Sequence, residues 1–315
     1  MEKLRIVFMG TPEFAVGILD TIVKNNYEVV GVITATDKPA GRGQKIAHSA
    51  VKEYALANNL RLLQPSNLKD EDFLAELKSL NANLQIVVAF RMLPKVVWEM
   101  PKLGTFNLHA SLLPQYRGAA PINWAIINGE TKTGVTTFFI DDKIDTGEMI
   151  LSAETTISEN ENAGQLHDRL MNLGCETVID TLKLIEKGNI STTVQKDSDD
   201  IKTAYKLNKE NCKIDWSKPT IEIHNLIRGL SPYPASWCYF KDNDQEWNVK
   251  IYESKAIIEK HNEIPGKLIA TKKELKITTI DGYIEIISLQ FPAKKRMKTS
   301  ELLNGITFSE NATAC

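Results

Sequence analysis

Asn107 and His109 lie two positions apart and start a run that continues to Ser111-Leu112-Leu113-Pro114. Residues two apart in a β-strand point to the same face, so a strand here would place the amide beside the imidazole. The amide can donate to a developing oxyanion, and the imidazole can donate or accept a proton, as acyl transfer requires. An isolated Asn-x-His pair more often has a structural role, with Asn107 capping a turn and His109 hydrogen-bonded inside a core.

Asp145 is the third side chain of interest, in the run Asp141-Asp142-Lys143-Ile144-Asp145-Thr146-Gly147. Three aspartates in five positions suggest a metal loop, but the spacing lacks the Asp-x-Asp-x-Asp-Gly pattern and the twelfth-position Glu of an EF-hand. A carboxylate in a tight turn can orient a histidine or take a proton from an amine. The alternative is an Asx turn whose other aspartates are solvated.

The first half of the chain alternates strand-like and helix-like segments. Arg5–Met9 is a short apolar run ending at Gly10, after which Thr11 is predicted to cap a helix with Pro12 in its first position. The alternation predicts a mostly parallel sheet covered by helices on both faces. Further strands are predicted over Glu28–Thr34, Leu84–Phe90 and Val135–Ile140, further helices over Ser49–Ala57 and Asn162–Gly188, and a Pro/Gly-rich loop over Asp37–Lys45.

The composition and periodicity of the sequence change after residue 188. Asn189–Lys206 is polar and without a clear period, which predicts a linker. One helix follows over Pro219–Leu230, and then five short strand-like runs that predict a small, OB-like β-barrel. The predicted domains are therefore 1–188, a linker over 189–206, and 207–315. The five runs are Ala235–Phe240, Trp247–Glu253, Gly266–Ala270, Leu275–Thr279 and Tyr283–Leu289.

Composition narrows the class of protein. The chain has 43% hydrophobic residues, 25% charged residues and a formal net charge of −2, which is ordinary for a globular protein and unlike a general nucleic-acid binder. From Asp200 onward there are 18 Lys and Arg against 15 Asp and Glu, a mild excess that fits either a solvated surface or one local anion-binding patch. The four cysteines show no CxxC pair, and the apolar run at the N-terminus is too short for a signal peptide or a membrane span. We therefore expect a soluble cytoplasmic protein without a metal or disulfides.

The two motifs together resemble the catalytic core of the formyltetrahydrofolate-dependent formyltransferases. Asn-x-His is followed by Ser-Leu-Leu-Pro, and an Asp in an Ile-Asp-Thr-Gly context comes 36 positions after His109. The resemblance implies a Rossmann-like, doubly wound domain that binds 10-formyltetrahydrofolate, with Asn107, His109 and Asp145 as the catalytic residues and no metal. Asn107 and His109 would stabilise the tetrahedral oxyanion, while Asp145 would keep His109 charged and assist removal of the amine proton.

The same resemblance implies where the folate binds. The expected segments end one apolar strand and follow the Asn-x-His motif, and they would hold the pteridine largely through backbone groups. Many relatives carry Tyr-Gly where this chain has Phe90-Arg91, which leaves the role of the Arg91 side chain open. The expected folate-binding residues are Phe90, Arg91, Met92, Leu93, Ser111, Leu112, Leu113 and Pro114.

Three features resemble the branch of the family that formylates the amino group of methionyl-initiator tRNA. They are the Gly10–Ala15 opening of the first helix, the Asp37–Lys45 loop with Arg42 between two glycines, and the C-terminal part nearly throughout. Ala293 and Lys143 replace glycines that relatives usually carry. We expect a monomer in a bacterial-type cytoplasm whose C-terminal lysines contact tRNA phosphates rather than read bases, while Arg42 binds a phosphate or a base. The expected tRNA-binding residues are Thr11, Pro12, Arg42, Lys45, Lys206, Lys294, Lys295, Arg296 and Lys298.

Three rival interpretations remain at this point. The first is a formyltransferase acting on a nucleotide-linked aminosugar, a branch that normally lacks the Arg42 loop in this form. The second is a dinucleotide oxidoreductase, which Ile6–Gly10 resembles at its start, although Thr11 and Pro12 stand where GxGxxG would follow. The third is a non-catalytic RNA-binding protein that uses the barrel alone, against which the complete Asn107, His109 and Asp145 set argues.

Overall fold

The computed structural model describes residues 3–40, 45–188 and 190–315. Contacts divide the chain into two compact units. Two segments from the middle of the chain belong to the same unit as its C-terminal third. The domain boundaries at residues 188 and 206 that the sequence suggested stay a prediction. The first unit comprises Met1–Gly118, Thr133–Thr155 and His167–Thr203, and the second comprises Ala119–Lys132, Thr156–Leu166 and Ala204–Cys315.

The strands up to residue 156 include those of the sheet that carries the Asn-x-His motif. They are β1 (Arg5–Gly10), β2 (Glu28–Ile33), β3 (Lys38–Ala40), β4 (Lys45–Ala47), β5 (Leu62–Leu63), β6 (Leu84–Val88), β7 (Thr105–His109), β8 (Arg117–Gly118), β9 (Lys132–Phe139) and β10 (Met149–Thr156). Seven of them form one sheet in the order β10-β9-β7-β6-β1-β2-β5. The pairs from β5 to β7 are parallel, and β9 joins β7 antiparallel. The prediction of a mostly parallel sheet is confirmed.

The helices of this part of the chain follow from apolar spacing and capping. They are α1 (Glu13–Lys24), α2 (Ala50–Ala57), α3 (Glu71–Ser79), α4 (Lys95–Trp98), α5 (Pro121–Ile127) and α6 (Ala163–Glu186). Ser49 accepts the Lys52 N–H to cap α2, and Asp70 accepts the Phe73 N–H to cap α3. The buried face of α1 consists of Phe14, Ala15, Ile18, Leu19 and Ile22.

Two local predictions are wrong. Thr11 does not cap α1: the cap position is Pro12, with extended backbone and no side-chain hydrogen bond, so the helix begins at Glu13. The predicted loop over Asp37–Lys45 is also partly strand, because β3 and β4 pair antiparallel with Lys38 opposite Ala47. Pro39 does not prevent this pairing, since a two-stranded ribbon has an outer edge that needs no donor.

The long helix α6 packs directly behind β7. Gly174 allows the contact, since a Cβ built there would lie 2.8 Å from Cδ2 of Leu108, the residue between Asn107 and His109. Leu108 is 3% exposed, so this face of β7 belongs to the core. Because residues alternate along a strand, Asn107 and His109 face away from α6.

The second unit contains an antiparallel, barrel-like sheet, as the sequence predicted. The remaining elements are β11 (Thr203–Ala204), α7 (Thr220–Gly229), β12 (Ser236–Asp242), β13 (Gln245–Ile258), β14 (Leu268–Ala270), β15 (Leu275–Thr278), β16 (Gly282–Gln290), β17 (Met297–Lys298), α8 (Thr299–Leu303) and β18 (Thr313–Ala314). The sheet order is β14-β15-β16-β13-β12-β18, with β17 on β16. All five predicted strands and the α7 helix are present, and β13 is longer than predicted.

The N-terminus of α7 is tied to the sheet by Asp281. Its Oδ1 accepts the Thr220 backbone N–H at 2.8 Å and the Thr220 hydroxyl at 2.7 Å, which holds the pKa of this carboxyl below its usual range. Only glycine fits at the next position, Gly282, because a Cβ there would lie 2.1 Å from the Ile257 carbonyl oxygen. In the described part of the chain, no helix combines the length and apolar character needed to cross a membrane.

Candidate active site

The carboxyl ends of three parallel strands lie along one edge of the large sheet. The register places Gly10 of β1 opposite Val88 of β6, and Val88 opposite Leu108 of β7. The segments that follow β1, β6 and β7 therefore begin side by side. This edge is where open parallel sheets bind ligands.

Asn107 lies in β7 with a buried polar atom that has no partner. Its Oδ1 makes no hydrogen bond although it is shielded from solvent. A buried acceptor without a partner costs roughly 1–3 kcal/mol, so such atoms are rare outside functional sites. The Asn107 Oδ1 is therefore free to accept a hydrogen bond from a bound molecule.

His109 ends β7 and has a defined tautomer. Its Nε2 lies 2.8 Å from the Tyr116 carbonyl oxygen, and since a carbonyl only accepts, Nε2 carries the hydrogen. The side chain is almost fully buried, with its ring edge-on to Phe138. The other ring nitrogen, Nδ1, faces Asp145 at 3.8 Å from Oδ2, too far for a hydrogen bond. Nδ1 is thus the nitrogen left for chemistry.

Asp145 reaches His109 from the connection between β9 and β10. Its Oδ2 accepts the Gly118 backbone N–H at 2.9 Å, and its backbone is left-handed with φ at 55°. The connection folds tightly over β9, because a Cβ on Gly147 would lie 1.7 Å from the Phe139 carbonyl oxygen. His109 and Asp145, 36 positions apart in the sequence, thus lie side by side, and Asn107 precedes His109 on the same face of β7.

The segment Ser111–Pro114 follows β7 and is fixed by Thr136 from β9. The Thr136 hydroxyl donates to the Ser111 carbonyl at 2.8 Å and accepts the Leu113 N–H at 3.2 Å. The Ser111 hydroxyl donates to the Gln115 carbonyl at 2.6 Å. Ser111 and Leu113 are buried, while Leu112 and Pro114 are partly exposed. Three hydrogen bonds that involve hydroxyl groups therefore fix the backbone of this segment.

The second predicted folate segment, Phe90–Leu93, is less uniform. Leu93 is in the hydrophobic core, whereas Met92 is 68% exposed at the surface. The guanidinium of Arg91 donates to the Pro65 and Ser66 carbonyl oxygens, the latter at 3.0 Å. The Arg91 side chain thus ties the end of β6 to the segment after β5.

The residues predicted to contact tRNA in the first unit are only partly described. Thr11 is partly exposed and Pro12 is exposed, directly after β1. Arg42 lies outside the described residues. Lys45 is in β4, and its side chain also lies outside them.

The predicted tRNA contacts of the second unit are all at the surface. Lys206, Lys294, Lys295 and Lys298 are exposed. Arg296 already has partners: its Nε donates to the Ser288 hydroxyl at 2.8 Å, and its Cζ lies 4.7 Å from the ring centre of Tyr252. The cluster of Lys294–Lys298 follows β16, so four cations are brought together within one turn and a short strand.

Sequence reasoning missed three contributors to the site. Tyr116 offers the carbonyl that sets the His109 tautomer, Gly118 offers the N–H that holds Asp145, and Gln195 is buried beside the β9–β10 connection. Tyr116 and Gly118 contribute backbone atoms, whose role leaves no signal in the type of the side chain. Gln195 lies in the polar segment interpreted as a linker, where a lone buried glutamine leaves no periodic signal.

The described residues show no cluster of metal ligands, and Cys175 and Cys212 have raised pKa values. Within the described residues, no group of three or more His, Cys, Asp or Glu could hold a metal ion. All four cysteines are unpaired thiols, and burial raises the pKa of Cys175 and Cys212, which makes them poor nucleophiles. The unpartnered Asn107 Oδ1 can accept a hydrogen bond from a ligand.

Comparisons with known proteins agree with this assignment. The formyl transferase family matches residues 4–182, and the formyl transferase C-terminal domain matches residues 206–307. The methionyl-tRNA formyltransferase of Flavobacterium johnsoniae is 77% identical over 99% of both chains, and that of Bacteroides fragilis is 52% identical over 98% of this chain and 97% of its own. In fold, the chain resembles an N-formyltransferase of Helicobacter canadensis solved with folinic acid and dTDP-3-aminofucose, with a TM-score of 0.63, 24% identity, and coverage of 90% of this chain and 98% of that one.

Both halves of the chain match the formyl transferase domains in order, and the most similar relatives align from end to end. The chain therefore belongs to the methionyl-tRNA formyltransferase family.

Proposed function

We propose that this chain transfers the formyl group of 10-formyltetrahydrofolate to the free amino group of methionyl-initiator tRNA, giving N-formylmethionyl-tRNA for translation initiation. The observation that carries the proposal is the 77% identity over 99% of both chains with a protein named methionyl-tRNA formyltransferase. The cluster of Asn107, His109 and Asp145 supports it, because formyl transfer needs an oxyanion donor and a proton acceptor at one point.

The residues have distinct roles in this proposal. The amine nitrogen forms a bond to the formyl carbon, the bond from that carbon to N10 of the folate breaks, and one proton moves from the amine to N10. The Asn107 amide and a protonated His109 Nδ1 stabilise the oxyanion, since Nε2–H is already bound to Tyr116. Asp145, 3.8 Å from Nδ1, stabilises the charge on His109 and assists removal of the amine proton.

The folate is proposed to bind along the edge after β6 and β7. Backbone groups of Ser111–Pro114 are ordered by Thr136, and Phe90 and Met92 follow the neighbouring strand. Arg91 acts indirectly here, by fixing this edge to the Pro65 and Ser66 carbonyls. In this proposal the backbone groups orient the ring by hydrogen bonds, and apolar side chains such as Phe90 and Leu112 contact its faces.

The tRNA is proposed to be held through phosphates. Lys206, Lys294, Lys295 and Lys298 are exposed cations of the second unit, and Arg296 contributes charge from a fixed position. Phosphate contacts of this kind position a nucleic acid without reading its sequence. We also propose that the enzyme acts as a monomer in the cytoplasm, where translation initiation takes place.

The test is a direct assay of the purified chain. It is incubated with 10-formyltetrahydrofolate and charged initiator methionyl-tRNA, and formylmethionine is measured after mild hydrolysis of the aminoacyl bond. Uncharged initiator tRNA, elongator methionyl-tRNA and a nucleotide-linked aminosugar are the comparison substrates. The proposal expects product with the charged initiator tRNA and much less with the others. Formylation of the aminosugar alone would replace the proposed substrate, and equal use of both tRNAs would remove the initiator selectivity.

A further inference from the structure

Gln195 is buried at 7% exposure in a segment that otherwise lies at the surface. Its Nε2 donates to the Asp145 carbonyl at 2.9 Å and to the Gly147 carbonyl at 2.8 Å. A primary amide has two N–H donors, so both are used on carbonyls that flank Thr146. Gln195 therefore closes the turn that carries Asp145.

This turn needs outside support. Asp145 has a left-handed backbone with φ at 55°, a conformation that residues other than glycine rarely adopt. Conformations of this kind persist where the surroundings over-determine them. Two hydrogen bonds from one buried side chain supply such a constraint, because shifting the turn would break both together.

Arg117 connects the Gln195 amide to the Asp145 carboxylate. The Arg117 Nε donates to the Gln195 Oε1 at 3.0 Å, and the next residue, Gly118, donates its N–H to the Asp145 Oδ2 at 2.9 Å. A further bond from Arg117 Nη1 to Asp197 at 2.8 Å orients the guanidinium. The contacts form a closed ring that runs from the backbone of Asp145 through Gln195 and Arg117 to its own side chain.

We propose that Gln195, oriented by Arg117, is a positioning residue for Asp145. It sets the position of the Asp145 carboxylate relative to His109 Nδ1 and makes no contact with the reacting atoms. This inference rests on the proposed formyl transfer, in which Asp145 handles the amine proton. Displacing a catalytic group by about 1 Å can cost on the order of 100-fold in rate, so the effect on kcat should be large.

The Gln195→Glu substitution tests this role most directly. Gln195→Glu keeps the size of the side chain and the acceptor for Arg117, but it places a carboxylate against two carbonyl oxygens that need donors. Gln195→Met removes the polar contacts at both ends and serves as the second variant if the first does not fold. The exposed neighbour Lys196→Met is the matched control, since it changes the same segment without touching the ring.

The test is a double-mutant cycle with Asp145→Asn, measured by formylation of methionyl-tRNA. In the wild-type background we expect Gln195→Glu to lower kcat about 10- to 100-fold, with KM for both substrates within about threefold. In the Asp145→Asn background the same change should lower kcat less than about threefold, because the residue being positioned is already disabled. Lys196→Met should leave kcat unchanged in both backgrounds. Equal losses in the two backgrounds, a loss confined to KM, or an unchanged kcat would overturn the proposal.

Hydrogen exchange separates this inference from the proposed function. Amides of residues 140–148 should exchange faster in Gln195→Glu than in wild type or Lys196→Met, whatever the enzyme formylates. If the wild-type chain makes no formylmethionyl-tRNA while exchange accelerates, the proposed function fails and the positioning of the turn stands. If exchange is unchanged, Gln195 does not hold the turn and the inference fails even in an active enzyme.

Discussion

Replacement of Asp145 by asparagine isolates the charge of this residue from its place in the fold. The asparagine side chain would keep an oxygen for the Gly118 N–H, which lies 2.9 Å from Asp145 Oδ2, and asparagine tolerates the left-handed backbone better than most residues. The variant should therefore fold with an unchanged site geometry. What it removes is the negative charge beside His109 and the acceptor for the amine proton.

The separation between the two groups sets the size of the effect. Unit charges about 4 Å apart attract by about 4 kcal/mol at an effective dielectric constant of about 20. The observed 3.8 Å between Asp145 Oδ2 and His109 Nδ1 lies at that distance. The full attraction sets an upper limit of about 1000-fold in kcat, and loss of a proton acceptor alone typically costs at least about 100-fold. We expect kcat to fall by about 100- to 1000-fold.

The assay measures initial rates of methionyl-tRNA formylation over a range of folate concentrations, together with equilibrium binding of tetrahydrofolate. Folate affinity should stay within about threefold, because Asp145 is bound to Gly118 and faces His109. Asp142→Asn is the matched control, since Asp142 lies in the same connection at 69% side-chain exposure. Asp145→Ala should lose a further 1–2 kcal/mol or so of stability, as it combines a strained backbone with an unpaired Gly118 N–H. A kcat for Asp145→Asn within tenfold of wild type would refute the role assigned to this carboxylate.

Three further outcomes are expected. Ala293→Gly should raise the free energy of unfolding, measured in urea, by about 0.5–1 kcal/mol, because Ala293 has a left-handed backbone with φ at 59°. The control, Ala270→Gly in β14, should lower the free energy of unfolding by a similar amount. A lower free energy of unfolding for Ala293→Gly would contradict this prediction. Asp281→Ala should lower the free energy of unfolding by about 1 kcal/mol near pH 6 through loss of the α7 cap. Folding lowers the pKa of Asp281, so the stability that its carboxylate contributes is present above the pKa of the unfolded chain, about 3.9. That stability disappears as the pH falls through the pKa of the folded chain. A stability difference between Asp281→Ala and wild type that persists to about pH 2 would contradict this role. Lys294→Ala and Lys295→Ala should weaken tRNA binding and each reduce the log–log salt slope by roughly 1, without changing folate affinity; an unchanged slope would show that these lysines make no phosphate contact.

The second unit was readily predicted because its signals are local. Five short strand-like runs between polar turns predicted the strands of the barrel-like sheet, and the proline-rich turn over residues 231–234 predicted the end of the α7 helix. The failures were also local in origin. Thr11 has the residue type of a helix cap, but the cap position is Pro12, and the Asp37–Lys45 stretch looked like a loop because two three-residue strands are too short to show alternation.

For the candidate site, the sequence by itself determined the pair on β7. The spacing of two between Asn107 and His109 places both side chains on one face of any strand, and burial of Leu108 against Gly174 decides which face that is. Family resemblance added Asp145, but no local pattern could bring it to His109. Only the tertiary structure places Asp145 Oδ2 3.8 Å from His109 Nδ1. It also shows that the Tyr116 carbonyl sets the tautomer of His109 and that Gln195 donates a hydrogen bond to the turn that carries Asp145. Those contacts join residues up to 50 positions apart, and a single side chain at such a separation leaves no periodic trace in the sequence.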